Sequence, residues 1–294
     1  MRKRLLREIR KLCTTINPGI ANRIMYFALM KKRLILTPPR TFSEKINYLK
    51  LHVFQKDPLV IRCTDKVAVA DYVREKTGES VLVERYGVWE HPEEIPWGSL
   101  PQQFVLKCNH GCGYNIICAD KSKLDKEETI RQLKRWLKED FWKTTCEPHY
   151  RHIPPRILCE RYLGEELCDY KFFCFHGEPL YFYISKTKKG DFHSGEFAMF
   201  QPNGDYAPFQ RSDHRMFREK PPMPEQLDQM LEIARQLAAD FPFVRVDLFF
   251  VDGKIFFSEL TFTPCSGMMP LTPQEADAWL GDLLDLNSYS TWKE

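Results

Sequence analysis

The clearest hydrophobic pattern in the chain is an alternation of apolar and polar positions over residues 243–261, interrupted at Asp252-Gly253. Val244, Val246 and Leu248 occupy every second position before this dipeptide, and Phe256, Ser258 and Leu260 alternate with Phe257, Glu259 and Thr261 after it. Such alternation is typical of half-buried strands. An Asp-Gly pair between two such strands favours a tight turn. The pattern therefore predicts a β-hairpin, around which the rest of the chain is organised.

The register of this hairpin decides which charged side chains meet. A two-residue turn would pair Asp247 with Ser258 and place Glu259 on the opposite face of the sheet. A three-residue loop with Gly253 in the left-handed region instead places Arg245 across from Glu259, with Asp247 diagonal to Glu259 on the same face. We predict the second register, because the other face of the hairpin is then mostly apolar and can be buried.

Two carboxylates and a guanidinium on one sheet face have two interpretations. They can form a surface ion pair, which contributes about 0–1 kcal/mol to stability. They can also bind a divalent cation, since Mg²⁺ takes a few carboxylate oxygens and completes its coordination with water and substrate phosphates. Arg245 would then face the negative charge that the metal brings with it. The hairpin pattern alone leaves both interpretations open.

The remaining periodicity predicts a mixture of helices and strands in one chain. The helical segments are residues 1–16, 18–31, 43–54, 65–79, 126–141, 225–240 and 272–286. Further strands are predicted at residues 80–88, 104–108, 114–118 and 156–164, and in a hairpin over 169–184 that turns at His176-Gly177. Residues 188–195 are polar and contain glycine, which predicts a mobile loop.

A glycine-containing loop at residues 109–113 separates two of the predicted strands, and Lys107 lies near the end of the first strand. The backbone N–H groups of such a loop can fold over phosphate oxygens, and a nearby lysine adds a point charge. The loop has neither a GxxxxGK[ST] motif nor a GxGxxG motif that opens a helix. A plain hairpin turn explains the pattern equally well.

Composition narrows the class of protein. The 294 residues can build one sizeable core or two to three small lobes, and a formal net charge of +3 is too small to indicate nucleic-acid binding by itself. No run approaches the roughly 18 apolar residues of a membrane-spanning helix. The basic N-terminus lacks the apolar segment of a signal peptide.

The 10 cysteines show no framework spacing, which favours free thiols in a reducing cytoplasm. Cys108 and Cys112 flank His110, but no second ligand pair at a zinc-like spacing accompanies them. The helix predicted over residues 1–16 is basic and amphipathic. Its charged face is either simply solvated or in contact with an anionic membrane surface.

These pieces, in this order, resemble the ATP-grasp superfamily. The shared elements are a strand that ends in Lys107, a glycine loop, E-x-Y-L at 160–163, R-x-D at 245–247, and E-x-T at 259–261. A closer resemblance is to the TupA-like ATP-grasp family, named for teichuronopeptide biosynthesis. The segments that carry it are residues 40–52, 65–73, 104–115, 157–163, 169–179 and 245–264.

The resemblance implies an α+β fold, the ATP-grasp fold, in which two α+β lobes clamp ATP, with an added helical N-terminal segment. We expect a helical segment at 1–60 and a small α/β subdomain at 61–103. The lid subdomain would follow at 104–163 and the catalytic subdomain at 164–294.

The resemblance also implies how ATP is held. Lys107 contacts the phosphates, Asp169 holds the ribose, and Lys171 follows on the same strand face. The flexible loop over the β- and γ-phosphates is His110, Gly111, Cys112 and Gly113. The hinge that receives adenine, mostly through backbone groups, is Glu160, Arg161, Tyr162 and Leu163.

The implied catalytic and metal residues lie on the central hairpin. Asp247 and Glu259 are the expected Mg²⁺ ligands. Thr261 stands where many ATP-grasp enzymes have asparagine, and its hydroxyl can ligate the metal or hold a water. Arg245, the second catalytic residue beside Lys107, stabilises the charged tetrahedral intermediate.

The implied reaction joins a carboxylate to an amine. The carboxylate attacks the γ-phosphate of ATP to form an acylphosphate, and the amine then displaces phosphate to give an amide. Catalysis would rest on positioning and charge neutralisation rather than on a covalent enzyme nucleophile. The family association suggests that the acid is a sugar acid, such as a uronic acid, of a bacterial surface polysaccharide, joined to an amino acid or amine.

Three other functions are compatible with parts of the sequence. A glycosyltransferase of polysaccharide biosynthesis often carries a D-x-D metal motif, and no two Asp residues here are two apart. A sugar kinase would use the same ATP-binding residues, and a non-catalytic binding protein would not need them.

Candidate acceptor-recognition residues are His193, Arg211, His214 and Arg215, which are equally well explained as exposed solubilising residues. A cytoplasmic protein close to the inner membrane, where lipid-linked sugars are built, would fit this function.

Overall fold

The computed structural model of the protein describes residues 2–165, 167–188 and 191–287. Its α-helices are α1 (Arg2–Ile16), α2 (Pro18–Met30), α3 (Phe42–His52), α4 (Pro58–Thr64), α5 (Val69–Thr77), α6 (Lys126–Leu137), α7 (Phe141–Thr145), α8 (Leu227–Ala238) and α9 (Ala276–Asp282). Short 3₁₀ turns occur at Pro92–Glu94, Lys121–Lys123, Pro148–His152 and Pro264–Gly267. No helix in these ranges is long and apolar enough to cross a membrane.

The strands form two main sheets. They are β1 (Arg85–Trp89), β2 (Phe104–Cys108), β3 (Asn115–Cys118), β4 (Ile157–Arg161), β5 (Cys168–Phe175), β6 (Glu178–Lys188), β7 (Asp191–Phe200), β8 (Gln210–Arg211), β9 (Arg215–Met216), β10 (Phe243–Val251), β11 (Lys254–Thr261) and β12 (Leu271–Thr272). The smaller sheet has the order β1-β4-β2-β3, and the larger has the order β11-β10-β5-β6-β7-β9. The pair β8 and β12 forms a separate two-stranded ribbon.

The smaller sheet buries one face and presents the other. On β2, Phe104 and Leu106 are fully buried, whereas Val105 and Lys107 are only partly buried. The buried side packs against α6, whose Leu133 is also fully buried in the same apolar cluster. Because side chains alternate along a strand, Lys107 must lie on the face away from this cluster. We refer to this sheet with α6 as the lid.

The larger sheet carries the main core and is covered by helices from both ends of the chain. Phe42, the first residue of α3, packs edge-on against Phe243 of β10 with the ring centroids 4.9 Å apart. The start of α3 is fixed by a capping box, in which the side chains of Thr41 and Glu44 each bind the backbone N–H of the other. Thr41 is therefore the N-cap of α3.

A close approach of α9 to the start of α3 gives a sharp test of this packing. A Cβ at Gly281 would lie 2.4 Å from the carbonyl oxygen of Arg40 and 2.8 Å from the backbone nitrogen of Phe42. We expect Gly281→Ala to destabilise the protein by about 1–3 kcal/mol or more, because backbone must move to admit the methyl group. Gly98→Ala is the matched control, since nothing lies within 4 Å of its Cβ position. Equal urea midpoints for the two variants would contradict this packing.

The central hairpin has the predicted face but not the predicted register. Val251 pairs with Lys254 across a two-residue turn, so the predicted three-residue loop is wrong. Asp247 lies directly opposite Glu259, and the pairing then skips Ser258, which forms a β-bulge. The bulge compensates for the short turn, because one extra residue shifts the following side chains to the other face. Both carboxylates therefore lie on one face after all.

Several element boundaries also differ from the sequence-based prediction. The short helix α4 was not predicted, and Asp65 ends it rather than opening a longer helix. The strand expected from residue 80 begins at 85, and the helix expected over 126–141 ends at 137. In the segment predicted as a mobile loop, residue 188 and residues 191–195 lie in β6 and β7, while 189 and 190 fall outside the described residues.

Candidate active site

A cleft of about 590 Å³ lies between the lid and the larger sheet. From the lid side its lining includes Lys107, Cys112, Gly113, Glu160, Arg161, Tyr162 and Leu163. From the larger sheet it includes Asp169, Lys171, Arg245 and Glu259. Most of the residues predicted for a nucleotide site are thus brought to one cavity, although they lie up to 152 residues apart in the chain (107 to 259).

The floor of the cleft is built on a fully buried carboxylate, Asp247. Arg245 binds it in a bidentate manner, with Nε 2.7 Å from Oδ1 and Nη2 2.6 Å from Oδ2. Lys171, on the neighbouring strand β5, places its Nζ 2.6 Å from Oδ2 of Asp247. The same Nζ lies 3.2 Å from Oδ1 of Asp169. Charge-assisted hydrogen bonds of this kind fix both cations at the bottom of the cleft.

Glu259 lies beside this group and faces the cavity. Its Oε1 is 3.5 Å from Arg245 Nη2 and 3.3 Å from the Thr261 hydroxyl, and its Oε2 is 3.6 Å from Lys66 Nζ. Burial alone would raise the pKa of Glu259, but Lys66, Lys171 and Arg245 lower it to about 2. The carboxylate is therefore ionised at neutral pH and carries its negative charge toward the cleft.

On the lid side the corresponding cation is Lys107. Its Nζ lies 2.6 Å from Oε2 of Glu160 on the adjacent strand β4, and both side chains line the cleft. The next residue, Arg161, places its guanidinium 5.2 Å from the ring centre of Phe256 on β11. Each wall of the cleft therefore carries a lysine within reach of a carboxylate.

The glycine loop after β2 is anchored at its first residue. The fully buried Asn109 donates to Oδ1 of Asp65 (2.8 Å) and to the carbonyl oxygen of Pro154 (3.0 Å). Cys112 and Gly113 then line the cleft, and Gly113 has a φ of +77°, which glycine adopts without strain. The loop is thus held at one end and open at the other.

His110 does not face the cleft, although it lies in this loop. Its ring is 5.5 Å from that of Tyr114, and its Nε2 is 3.1 Å from the carbonyl oxygen of Trp136 on α6. Burial lowers its pKa, so the imidazole is neutral inside the lid. Gly111 likewise contributes its carbonyl oxygen, which accepts a hydrogen bond from Lys66 (2.8 Å), rather than lining the cavity.

Lys66 is the main site residue that the sequence pattern missed. It lies in the turn between α4 and α5, and its ammonium group bridges the glycine loop and Glu259. Neither the glycine loop nor Glu259 is near Lys66 in the sequence, so no local spacing connects Lys66 to either of them. The one signal was its position in the segment 65–73, which contributed to the family resemblance without a role of its own.

A buried polar cluster supports the back of the cleft. Lys50 is fully buried and donates to the carbonyl oxygen of Ser266 (2.7 Å), and burial lowers its pKa to about 8. The buried Glu147 accepts hydrogen bonds from the hydroxyls of Thr263 and Ser266. Cys265 lines the cleft. Its φ is 51° and that of Ser266 is 56°, a backbone conformation that residues other than glycine rarely adopt. The cluster holds this strained turn in place.

Only some of the candidate acceptor-recognition residues line the cleft. Arg211 and His214 line the cleft, and Arg211 is bound in a bidentate manner by Asp213 at 2.7 and 2.9 Å. Arg215 is exposed on β9 and does not line it. The side chain of His193 lies outside the described residues.

The oxygen atoms at the floor suit a hard cation. Mg²⁺ is usually held by one or two carboxylates together with water and substrate phosphates, rather than by a complete protein cage. Asp247, Glu259 and the Thr261 hydroxyl provide such a partial set, and Arg245 forms hydrogen bonds with all three. Of the three residues, Glu259 lines the cleft, whereas Asp247 is fully buried and Thr261 is not part of the lining. Within the described ranges no group of three or more His, Cys, Asp or Glu side chains could hold a metal alone. The donor set therefore fits a cation that shares its coordination with phosphates.

Comparison with known protein structures gives related folds at low sequence identity. D-alanine–D-alanine ligase from Bacillus anthracis, in complex with ATP, matches 82% of this chain and 68% of its own at 16% identity and a TM-score of 0.47. L-amino acid ligase from Bacillus licheniformis matches 74% of this chain and 48% of its own at 12% identity and a TM-score of 0.47. A search of curated proteins finds no match.

The family described as TupA-like ATPgrasp matches residues 44–285, which is more than four-fifths of the 294-residue chain. The match contains the glycine loop, strand β4 and both arms of the central hairpin. It confirms the family resemblance and the α+β ATP-grasp fold that were expected from the sequence. The chain belongs to the TupA-like ATP-grasp family.

Proposed function

We propose that this protein is an ATP- and Mg²⁺-dependent ligase that joins a carboxylate to an amine. The observation that carries the proposal is the convergence of Lys107, Lys171, Arg245 and Glu259 on one cleft between the lid and the larger sheet, with the carboxylate of Asp247 buried beneath Arg245 and Lys171. A triphosphate needs cations on more than one side, and a metal bridging its oxygens needs carboxylates beneath it. This cleft supplies both.

In this proposal the lid and the hinge bind the nucleotide. Lys107 and the backbone of Cys112 and Gly113 contact the phosphates, and residues 160–163 receive the adenine. Asp169 and Lys171, on the facing strand, lie toward the ribose and the phosphates. The ion pair of Lys107 with Glu160 keeps the ammonium group at the cleft wall, where it can exchange one oxygen partner for another.

The floor of the cleft handles the charge of the reaction. Asp247 and Glu259, with Thr261 beside them, would hold Mg²⁺, which neutralises phosphate charge when it is bound. Arg245 is fixed by Asp247 and reaches toward Glu259, so its remaining hydrogen-bonding capacity can stabilise an oxyanion without reorganisation. The chain's own contribution is thus positioning and preorganised charge.

We further propose that the acceptor is a sugar acid, such as a uronic acid of a bacterial surface polysaccharide, joined to an amino acid or amine in the cytoplasm. The support for this is the family association and the pair Arg211 and His214 on the cleft wall, which supply donors for a carboxylate or hydroxyl. We also propose the subdivision 1–60, 61–103, 104–163 and 164–294 as the functional units. In the structure β1, from the second unit, pairs with β4 of the third.

A direct test incubates the protein with ATP, Mg²⁺ and pairs of candidate acids and amines. We expect ADP, phosphate and an amide in equal amounts, and only when both partners are present. Mass spectrometry of the products distinguishes the alternatives. A phosphorylated sugar without an amide would favour a kinase, and thermal stabilisation by UDP-sugars but not by ATP would favour a glycosyltransferase.

Lys66 gives a second test of the same site. We expect Lys66→Met to raise the KM for ATP roughly tenfold, because a hydrogen bond to a charged group contributes about 1.5–3 kcal/mol. Its ammonium group holds the glycine loop through Gly111 and lies 3.6 Å from Glu259. Lys254→Met, at the exposed end of the hairpin, is the matched control and should leave KM unchanged. An unchanged KM in both variants would remove Lys66 from the site.

A further inference from the structure

The large exposed hydrophobic side chains are concentrated at one end of the chain. Of the twelve found among the described residues, eight lie between residues 9 and 35. They are Ile9, Leu12, Ile16, Ile20, Ile24, Phe27, Leu29 and Ile35. Single exposed apolar residues need no explanation, but a concentration of this kind marks an interaction surface.

Six of these residues form one stripe on each of two consecutive helices. On α1 the stripe is Ile9, Leu12 and Ile16, and on α2 it is Ile20, Ile24 and Phe27. Spacings of three and four residues place each set on a single side of its helix. Leu12 and Phe27 are each 62% exposed and Ile16 is 76% exposed. We call these six residues the apolar platform.

The opposite sides of both helices are packed into the same small core. That core contains Ala21, Met25 and Tyr26 from α2, with Cys13 from α1 packed against it. Thr14 of α1 is also fully buried. Since both helices turn their inner faces to one cluster, the two stripes point outward from it.

The charge of this region is opposite to that of the rest of the chain. Residues 1–40 hold 11 of the 43 Lys and Arg residues and one of the 40 acidic residues, a formal charge of +10. The remaining residues therefore carry −7. In the same segment Arg10, Arg23, Lys31 and Arg33 are exposed. The apolar stripes are thus bordered by cations in an otherwise acidic protein.

We propose that the apolar platform binds the surface of a membrane that contains anionic lipid. A helix with an apolar side and a cationic border lies in the interface, where its apolar residues enter the acyl region and its cations meet the headgroups. A second copy of the chain fits less well, because a symmetric dimer through this face would bring two +10 regions together. A nucleic acid would meet the cations but would not bury the stripes.

The inner side of α1 connects the platform to the lid. Arg7 forms an ion pair with Glu139, and Glu139 also accepts a hydrogen bond from the Tyr114 hydroxyl (3.0 Å), which follows the glycine loop. Arg10 Nη1 lies 3.4 Å from the carbonyl oxygen of Thr144. A membrane that binds the platform therefore lies on the side of the molecule that carries the lid. The proposal itself does not depend on the ligase reaction.

The test is co-flotation of the full chain with vesicles. We expect the protein to float with vesicles of phosphatidylcholine and phosphatidylglycerol, and to stay unbound with phosphatidylcholine alone. The double variant Leu12→Glu/Phe27→Glu should lower the bound fraction at anionic vesicles at least tenfold. Met216→Glu, which changes an exposed apolar residue (46%) elsewhere on the surface, is the control and should float like the wild type. Binding should also weaken at 0.5 M salt, where screening is strong.

Folding and self-association are checked in the same samples. Thermal melting should show that the double variant is folded. If it is not, Arg23→Glu/Arg33→Glu provides an independent test with the same expected loss of binding. Equal binding to both kinds of vesicle, or no binding of the wild type, would overturn the proposal. Light scattering that shows a dimer in the wild type and a monomer in the double variant would assign the platform to a second copy instead.

Discussion

Replacing Glu259 by Gln is expected to lower ATP turnover at least about 100-fold. The substitution keeps the size of the side chain but removes the negative charge that faces the cleft. Loss of one preorganised electrostatic group in an active site costs about 10²–10³ in kcat. The variant should also need more Mg²⁺ for half-maximal activity, because one of the two carboxylates at the floor is gone.

The measurement is the rate of ADP release at several Mg²⁺ concentrations, compared with Glu178→Gln on the exposed start of β6. The control should behave like the wild type. A Glu259→Gln variant that hydrolyses ATP at the wild-type rate with an unchanged Mg²⁺ requirement would show that the metal is held elsewhere.

The same carboxylate predicts a dependence of stability on pH. The pKa of Glu259 in the folded protein is about 2, below its ordinary value of 4.5. Its ionised form therefore stabilises the folded state above pH 4.5, and this contribution is lost as the pH falls toward 2. The difference in unfolding free energy between the wild type and Glu259→Gln should be constant near neutral pH and shrink between pH 4.5 and pH 2.

Asp247→Asn is expected to have the largest effect on stability. It removes the charge from a fully buried carboxylate that binds Arg245 and Lys171 at 2.6–2.7 Å. Breaking a buried ion pair by removing one partner costs about 3–5 kcal/mol, because the remaining charges are left uncompensated. The NH₂ group of the asparagine would also face the N–H donors of Arg245 and Lys171, with which it cannot form a hydrogen bond. ATP turnover should be lost even at temperatures where the variant is folded.

The control for this variant lies on the same hairpin. Asp252 occupies the turn with a φ of 50°, a conformation that asparagine tolerates as well as aspartate. Asp252→Asn should therefore change the unfolding free energy by less than about 0.5 kcal/mol, the range typical of surface substitutions. Urea denaturation of both variants decides the matter. A loss below about 1 kcal/mol for Asp247→Asn would mean that the buried cluster does not stabilise the fold.

Features that depend on residues close together in the sequence could be predicted, and features that depend on distant segments could not. Alternation along β2 is enough to place Lys107 on the strand face away from Phe104 and Leu106, because strand geometry fixes side-chain direction locally. The face of the central hairpin was predicted for the right reason, namely the burial of its other side. Its register was not, because a bulge at Ser258 leaves no mark in an alternating pattern.

Features that depend on packing between distant segments were not accessible. The family resemblance placed His110 over the phosphates, but its ring lies in the lid beside Tyr114 and the backbone of Trp136. Lys66 reaches the glycine loop only because α4, which ends just before it, packs against β11. The buried pair Lys50 and Glu147 likewise supports a turn that lies more than 100 residues away in the chain.

The central claim is that one cleft holds the triphosphate of ATP between Lys107 and the two carboxylates of the β10–β11 hairpin. A crystal structure with Mg²⁺ and a non-hydrolysable ATP analogue tests this most directly. We predict a metal ion about 2.1 Å from a carboxylate oxygen of Glu259, with phosphate oxygens completing its coordination and Lys107 in contact with the same triphosphate. A nucleotide bound outside this cleft, or a metal that contacts neither Asp247 nor Glu259, would contradict it.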